Sequence, residues 1–201
     1  MTARKTFSLD DIQAVLARHK PRTEHLKSDL RPAAVLAPFY PTPDGPSLIF
    51  TKRTDHLDQH SGQISFPGGM RDPEDPDART TALRETFEEI GVRPDDVEVF
   101  GRMNQEATTT GFSVAPFVGR IPYPYDFNLN AHEVERLIIV PLSHLLDPAF
   151  FDTEHYPWQG KRYLTYRYTF HDDVIWGATA RIVHNFLTLL LTGREPDDEL
   201  P

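Results

Sequence analysis

Arg84-Glu85-Thr86-Phe87-Glu88-Glu89-Ile90-Gly91-Val92 is the stretch on which the reading of this chain turns. Its glutamates stand at i, i+3 and i+4, positions that share one face of an α-helix. Leu83, Phe87 and Ile90 recur at helical spacing on the other side, which predicts a face packed on a core. Gly91 reads as the helix stop, with Pro94 just beyond it. Like charges at i,i+4 destabilise a helix by about 0.2–0.5 kcal/mol per pair. Three stacked carboxylates therefore call for something that neutralises them. A solvated acidic face is the ordinary answer for a Glu-rich helix; a divalent cation with oxygen ligands is the sharper one.

The flanks of this helix supply context. Upstream lies an acidic loop through Asp77, preceded by Phe66-Pro67-Gly68-Gly69 and a short strand over 63–66. Adjacent glycines allow a backbone path and a close ligand approach that a Cβ would block. Ala33–Phe39 and Ser47–Lys52 read as a strand hairpin with its turn over 40–46. The polar loop from Arg53 to Gly62 carries His56 and His60, read as loop histidines because no helical apolar pattern accompanies them. Ser8 is an N-cap candidate for a short amphipathic helix to about His19, followed by a basic connector read as solvated.

Downstream, 97–103 and 112–121 read as strands. The loop between them holds Glu106 and three threonines, a composition that suits a mobile, substrate-facing segment. Val134–Val140 is a further strand with Glu133 and Glu135 at its entrance. Pro141 is expected to open a helical turn at its first helical position. Residues 161–170 alternate as a strand, and 178–191 form a last helix with Ile182, Phe186, Leu189 and Leu190 as its core stripe. Strands and helices interleave, so the class is α/β or α+β in two or three layers.

The bulk properties narrow the function. The 201 residues suit one domain, with no apolar run near 18 residues and no apolar leader-like segment. With no cysteine, disulfides, zinc–thiolate sites and cysteine nucleophiles are excluded, and the expected compartment is cytoplasmic. A formal net charge of −9 argues against a general nucleic-acid binder. An acidic protein that binds a phosphorylated small molecule needs local compensation from Arg, Lys, backbone N–H groups or metal.

Gly69 followed by Arg84-Glu85-x-x-Glu88-Glu89-x-Gly91-Val92 resembles the Nudix box, G-x5-E-x7-R-E-U-x-E-E-x-G-U, where U is a bulky aliphatic. Two departures stand out. One extra residue separates Gly69 from Arg84, so the loop glutamate of the pattern falls on Pro76 or Asp75, with Asp75 or Glu74 as substitutes. Thr86 occupies an aliphatic position. A second resemblance is to the coenzyme A pyrophosphatase branch, whose signature is L-L-T-x-R-S-x3-R-x3-G-x3-F-P-G-G. It is carried by Ile49-Phe50-Thr51-Lys52-Arg53-Thr54, Gly62 and Phe66-Pro67-Gly68-Gly69. The longer loop after Gly69 and the run Trp176-Gly177-Ala178-Thr179-Ala180 also resemble that branch. Here Asp58 stands in place of the signature's second arginine and Thr54 in place of its serine.

These resemblances imply a Nudix-type α/β/α sandwich with a mixed β-sheet between helices. The implied organisation is an N-terminal helix and connector over 1–32, a hydrolase domain over 33–192 and a flexible acidic tail over 193–201. The implied activity is metal-dependent cleavage of coenzyme A to 3′,5′-ADP and 4′-phosphopantetheine. Mg2+ or Mn2+ would be held by Glu85, Glu88, Glu89 and the Gly69 carbonyl. Diphosphate hydrolysis suits this set, because divalent cations offset charge on the phosphates and lower the pKa of bound water. Arg84 is expected to orient a carboxylate, of Glu88 or Asp75, through a bidentate pair. Arg53 is the candidate diphosphate clamp, beside Gly68 and Gly69. The general base comes from the box or from Glu133, with Glu106 and Glu135 as runners-up. The expected partner is a small nucleoside diphosphate derivative, coenzyme A first, rather than nucleic acid or membrane; a homodimer is left open. Another substrate of that class, such as ADP-ribose, a dinucleoside polyphosphate or an oxidised nucleotide, is the alternative. A catalytically silent sensor is the reading that the intact glutamates oppose.

Overall fold

In the computed structural model, which describes residues 6–22, 29–54, 62–158 and 161–196, β1 (Arg31–Thr42) is the strand on which the main sheet is built. Its near-continuous apolar run suits a strand buried on both faces. β1 pairs in parallel with β7 (Phe112–Arg120) along one edge. Its other edge is antiparallel to β2 (Gly45–Arg53) and to β4 (Gly68–Met70). β3 (Ile64–Ser65) and β8 (Val134–Pro141) pair with β2, while β5 (Glu98–Arg102) and β6 (Glu106–Ala107) pair with β7. The sheet is therefore mixed.

Alternation along β1 sorts its side chains onto two cores. Ala37 and Phe39 join Leu48 and Phe50 beneath α1 (Leu9–Arg18) and α4 (Gly177–Thr192), against Ile12, Leu16 and Phe186. Ala34, Leu36 and Tyr40 join Ile49 beneath α2 (Ala78–Ile90), against Ala82 and Ile90. Fully burying one Leu, Ile or Phe contributes about 1.5–3 kcal/mol, so both helical layers are anchored by apolar contact. The result is the expected sandwich, with a mixed sheet between helices. A second, three-stranded antiparallel sheet, β9 (Phe151–Trp158), β10 (Lys161–Phe170) and β11 (Asp173–Trp176), covers part of the α4 side. Tyr166, Tyr168 and Ile175 join its core.

One edge of β1 is divided. Phe39–Thr42 pair with β2, whereas Ala33–Val35 pair with β4. Leu36 N–H donates across this edge to the Pro67 carbonyl at 2.9 Å. By strand alternation, the next N–H on that side would belong to residue 38, which is proline and has none. A proline inside an interior strand normally argues against the ladder. Here the missing donor falls in the gap where β2 and β4 part.

Several expectations need correction. The hairpin turn is only Pro43-Asp44, because the strands extend further than the apolar runs suggest. Pro141 is the N-cap of the short helix α3 (Leu142–Leu145), not its first residue. The segment over 104–111 is not wholly a loop: β6 pairs Glu106 with Val114 and Ala107 with Ser113. At the C-terminus, Glu195 is buried and accepts from Asn104 N–H at 2.8 Å. Its carboxylate also meets His19 Nε2 at 2.7 Å, so the chain stays docked at least this far. Burial pushes the Glu195 carboxyl up to about 7. His56, Asp58 and His60 lie outside the described residues.

Candidate functional site

Local chemistry fixes α2 at both ends. Asp77 is its N-cap and accepts from Thr80 N–H at 2.8 Å. Gly91 closes it with φ of 74°, and its N–H donates to the Phe87 carbonyl. The buried face of α2 agrees with the expected one at Ile90 and Leu83 but not at Phe87. Thr81, Ala82, Thr86, Glu89 and Ile90 are buried, while Phe87 is 50 % exposed. Thr86, in the aliphatic position of the box, satisfies its hydroxyl by donating to the Ala82 carbonyl at 2.6 Å. The helix thus turns Glu89 inward, toward the gap between β2 and β4.

Arg84 organises the carboxylates nearer the surface. Its Nε and Nη2 donate to Asp75 Oδ1 and Oδ2 at 3.1 and 2.9 Å, the bidentate geometry of a strong pair. Its Nη1 donates to Glu85 at 3.0 Å and Glu88 at 2.9 Å, and its Nη2 also reaches the Met70 carbonyl. Asp75, rather than Glu74, is thus the loop carboxylate, and both expected partners of Arg84 are engaged. Asp75 further accepts from Thr81 Oγ1 and Asp72 N–H. The Arg84 guanidinium is the main reason that the Asp75 carboxyl falls to about 2. A folded-state pKa below the unfolded value contributes stability above about pH 4, and that stability is lost as pH falls toward about 2. Asp75→Asn is expected to cost about 1–3 kcal/mol at pH 7. It should also flatten the decline in melting temperature between about pH 4 and 2. Thermal unfolding at a series of pH values checks both, and an unchanged acid limb would show that the pair is not formed.

Glu89 is the most enclosed of the three, 3 % exposed. Burial pushes its carboxyl up to about 8, against the pull of Arg53; Glu133 and Glu85 raise it further. Burial also raises Glu85. Glu133 reaches this group through a clasp on the end of α2. Asn128 N–H donates to the Ile90 carbonyl at 3.2 Å and Asn130 N–H to the Glu89 carbonyl at 2.9 Å. Asn130 Nδ2 then donates to Glu133 Oε1 at 3.1 Å. Gly91 makes the clasp possible, since a Cβ there would come within 2.8 Å of Asn128. Sequence reasoning missed this pair of asparagines.

Arg53 follows a register shift in β2 and brings Nη1 to 3.9 Å from Glu89 Oε1. Arg53 Nε and Glu89 Oε2 are both buried without a hydrogen-bond partner among the described residues. Such orphaned atoms ask for a bound group. Gly69 lies directly against Glu85: a Cβ on it would sit 2.5 Å from the carboxylate. The donors available to an ion are carboxylate and carbonyl oxygens, which suit a hard divalent cation. Among the described residues, no three acidic or histidine side chains stand together as a finished metal cluster. Glu85 and Glu88 are held by Arg84 instead. The donor set fits such an ion in chemistry, with Glu89 Oε2 left unpartnered among the described residues.

The two runners-up for the base are placed differently. Glu106 is buried, 3.1 Å from Arg181 Nε, and accepts from Asn185 Nδ2 at 2.6 Å, as a structural pair would. Glu135 is engaged by Lys52 at the surface. Arg53, Gly68 and Gly69 also line a cavity of about 1010 Å³ between the main sheet, the three-stranded sheet and the start of α4. Phe66, Phe112, Tyr156, Tyr163 and Trp176 supply much of its apolar wall. Thr108, Thr109 and Thr110 also line it.

Comparison with known proteins agrees with this architecture. The family model described as the NUDIX domain matches residues 30–159. The chain is 35 % identical over 164 residues to the protein named Nudix hydrolase NudL of Photorhabdus laumondii, covering 82 % of this chain and 87 % of that one. It is 36 % identical over 155 residues to NudL of Yersinia pestis, covering 77 % of each. A solved NUDIX hydrolase from Alicyclobacillus acidocaldarius shares the fold with a TM-score of 0.51 at 15 % identity, covering 85 % of this chain and all of that one.

Proposed function

The chain belongs to the NUDIX domain family, and from that premise we propose that it is a divalent-metal-dependent hydrolase of the diphosphate bridge in coenzyme A. The observation that carries this reading is the juxtaposition of Glu89 Oε2 and Arg53 Nε. One is a buried acceptor and the other a buried donor, both without a partner among the described residues, on side chains that approach to 3.9 Å, and Arg53 also lines the cavity. A cation on the first and a diphosphate oxygen on the second would satisfy both.

On this reading Glu85, Glu88, Glu89 and the Gly69 carbonyl hold Mg2+ or Mn2+, which offsets phosphate charge and acidifies water when bound. Arg53 takes the charge of the diphosphate and holds it in line for attack. Gly68 and Gly69 let the phosphates approach the backbone, since no side chain intervenes. Arg84 fixes the orientation of Glu85 and Glu88. Glu133, clasped beside the box by Asn130, accepts the proton of the attacking water. The new bond joins water oxygen to phosphorus, the bridging P–O bond breaks, and the departing phosphate keeps that electron pair.

The choice of coenzyme A is supported by the Phe66-Pro67-Gly68-Gly69 run, of which Phe66, Gly68 and Gly69 line the cavity, and by the volume and apolar character of that cavity. A substrate with a nucleotide and a long, weakly polar arm suits such a space. Asp58, in place of an arginine of the resembled signature, favours a second reading: another nucleoside diphosphate derivative such as ADP-ribose. Initial rates on coenzyme A, 3′-dephospho-coenzyme A, NADH, ADP-ribose and nucleoside triphosphates, each with Mg2+ and Mn2+, decide between them. Coenzyme A is expected to give the highest kcat/KM. Triphosphates as the best substrates would overturn the coenzyme A reading, and absence of turnover on the whole panel would overturn the diphosphatase reading for this substrate class.

A further inference from the structure

Thr108, Thr109 and Thr110 reach the cavity on a turn whose support is narrow. The turn itself is tightly bonded. Thr108 N–H donates to the Phe112 carbonyl at 2.9 Å and Gly111 N–H to the Thr108 carbonyl at 3.1 Å. Phe112 N–H donates to Thr108 Oγ1 at 3.0 Å. The turn joins β6 to β7, and β6 is only two residues long, with the ladder pairs Glu106–Val114 and Ala107–Ser113. β5 and β6 share one edge of β7, and among the described residues no strand pairs with the far edge of β6. So short a strand contributes little pairing of its own, and backbone groups on its open edge need partners from elsewhere.

α4 supplies them. Arg181 and Asn185 stand at i and i+4, on one face of this helix. Arg181 Nη2 donates to the Ala107 carbonyl at 3.2 Å, and its Nε lies 3.1 Å from Glu106 Oε2. Asn185 Nδ2 donates to Glu106 Oε1 at 2.6 Å. Both oxygens of the carboxylate are thus turned to α4. Glu106 and Asn185 are each 4 % exposed, so the contact is made inside the protein. Arg181 also lines the cavity, so one guanidinium belongs both to this contact and to the wall. As a source of stability a buried ion pair is weak, because desolvation offsets much of its attraction.

We propose that Arg181 is a positioning residue for substrate binding: with Asn185 it holds Glu106 and Ala107 against α4, and so fixes the threonine wall of the cavity. It acts through β6 on the affinity for substrate and takes no part in bond cleavage. The inference rests on the reading of this cavity as the seat of the substrate. A wall fixed during folding spares the ordering cost at binding. Loosening it weakens the bound ground state and the transition state alike, which raises KM and leaves kcat nearly unchanged. Glu106 then serves as the anchor of this wall rather than as a base.

The test uses the full chain. Removing one partner of a buried pair strands a charge, whereas replacing both is tolerated, so the variant is Glu106→Gln combined with Arg181→Met. With coenzyme A and Mg2+, its KM is expected to rise about tenfold and its kcat to change less than about twofold. Without substrate, the amides of Thr108, Gly111 and Phe112 should exchange at least about tenfold faster than in the wild type, and that of Val118, deeper in β7, should not change. Arg181→Lys strands no charge but loses the forked reach to Ala107. It carries the same readouts should the double variant not fold, with KM about threefold above the wild type. An unchanged KM in the folded variant, a fall in kcat that matches the rise in KM, or unaltered exchange over 108–112 overturns the proposal. Failure of the proposed function looks different. A wild-type chain that cleaves no coenzyme A, while the variant still shows the faster exchange, loses that substrate and keeps the α4 anchor.

Discussion

Glu89→Gln is expected to lower kcat about a thousandfold at saturating Mg2+, with a melting temperature equal to or above that of the wild type. The two halves of this expectation have one cause. Glu89 is almost fully buried, with one carboxylate oxygen unpartnered among the described residues, and burial pushes its carboxyl up to about 8. A buried group in that condition is a burden to the fold unless a bound ion or proton offsets it. The amide keeps the shape and removes the charge, so folding is relieved and the anionic oxygen for the ion is gone. Steady-state kinetics and a thermal melt measure the two halves. Full activity in the variant would sink the metal assignment, and a large drop in melting temperature would show that the carboxylate serves the fold. The same assay ranks the base candidates. Glu133→Gln should lose about a hundredfold in kcat, and Glu135→Gln, a surface change 3.1 Å from Lys52, should stay near the wild-type rate.

Gly68→Ala is expected to cost about 2–4 kcal/mol of stability. Gly68 has φ of 151°, and a Cβ on it would lie 2.4 Å from the Ala34 carbonyl oxygen and 2.6 Å from Val35 Cα. Both obstacles are backbone atoms of the central strand, so neither can swing aside. Gly69→Ala is the informative contrast. Its Cβ would meet the Glu85 carboxylate at 2.5 Å, the free end of a side chain that can move. That substitution should spare the fold and displace Glu85, lowering activity instead. Chemical denaturation of the two variants, with kinetics on the second, checks the pair. A Gly68→Ala protein as stable as the wild type would contradict the pairing of β4 with β1.

What could be read ahead of the structure follows from the range of the forces involved. α2 was legible because its evidence is local: glutamates on one face, Asp77 before it and Gly91 after it. Its buried face was legible only in part. Periodicity assigns Leu83, Phe87 and Ile90 to the core; Ile90 is buried and Leu83 packs against the core, yet Phe87 is half exposed and Glu89 is buried. A carboxylate held inside interrupts the hydrophobic pattern. Glu133 is a candidate from its place before a strand, but the Asn128–Asn130 clasp that ties its segment to α2 was not legible, because its partners lie about 40 residues away on the end of that helix. Glu106 misled for the same reason: its partner Asn185 is 79 residues further along, so composition alone suggested a mobile loop. β9, whose Phe-Asp-Thr-Glu-His-Tyr-Pro-Trp shows little alternation, is set by pairing with β10 rather than by its own pattern.

The parting of β2 and β4 at Pro38 has one more consequence. A site made by two strands diverging from a shared neighbour is already ordered before any ligand arrives. Gly68 and Gly69 are tied to Ala34 and Val35 by ladder pairing, and Glu89 is buried with Arg53 at 3.9 Å. The ordering entropy of these groups belongs to folding, so binding at this end needs little rearrangement of the chain. Proline, usually a breaker of sheets, here builds preorganisation by leaving one hydrogen bond unmade.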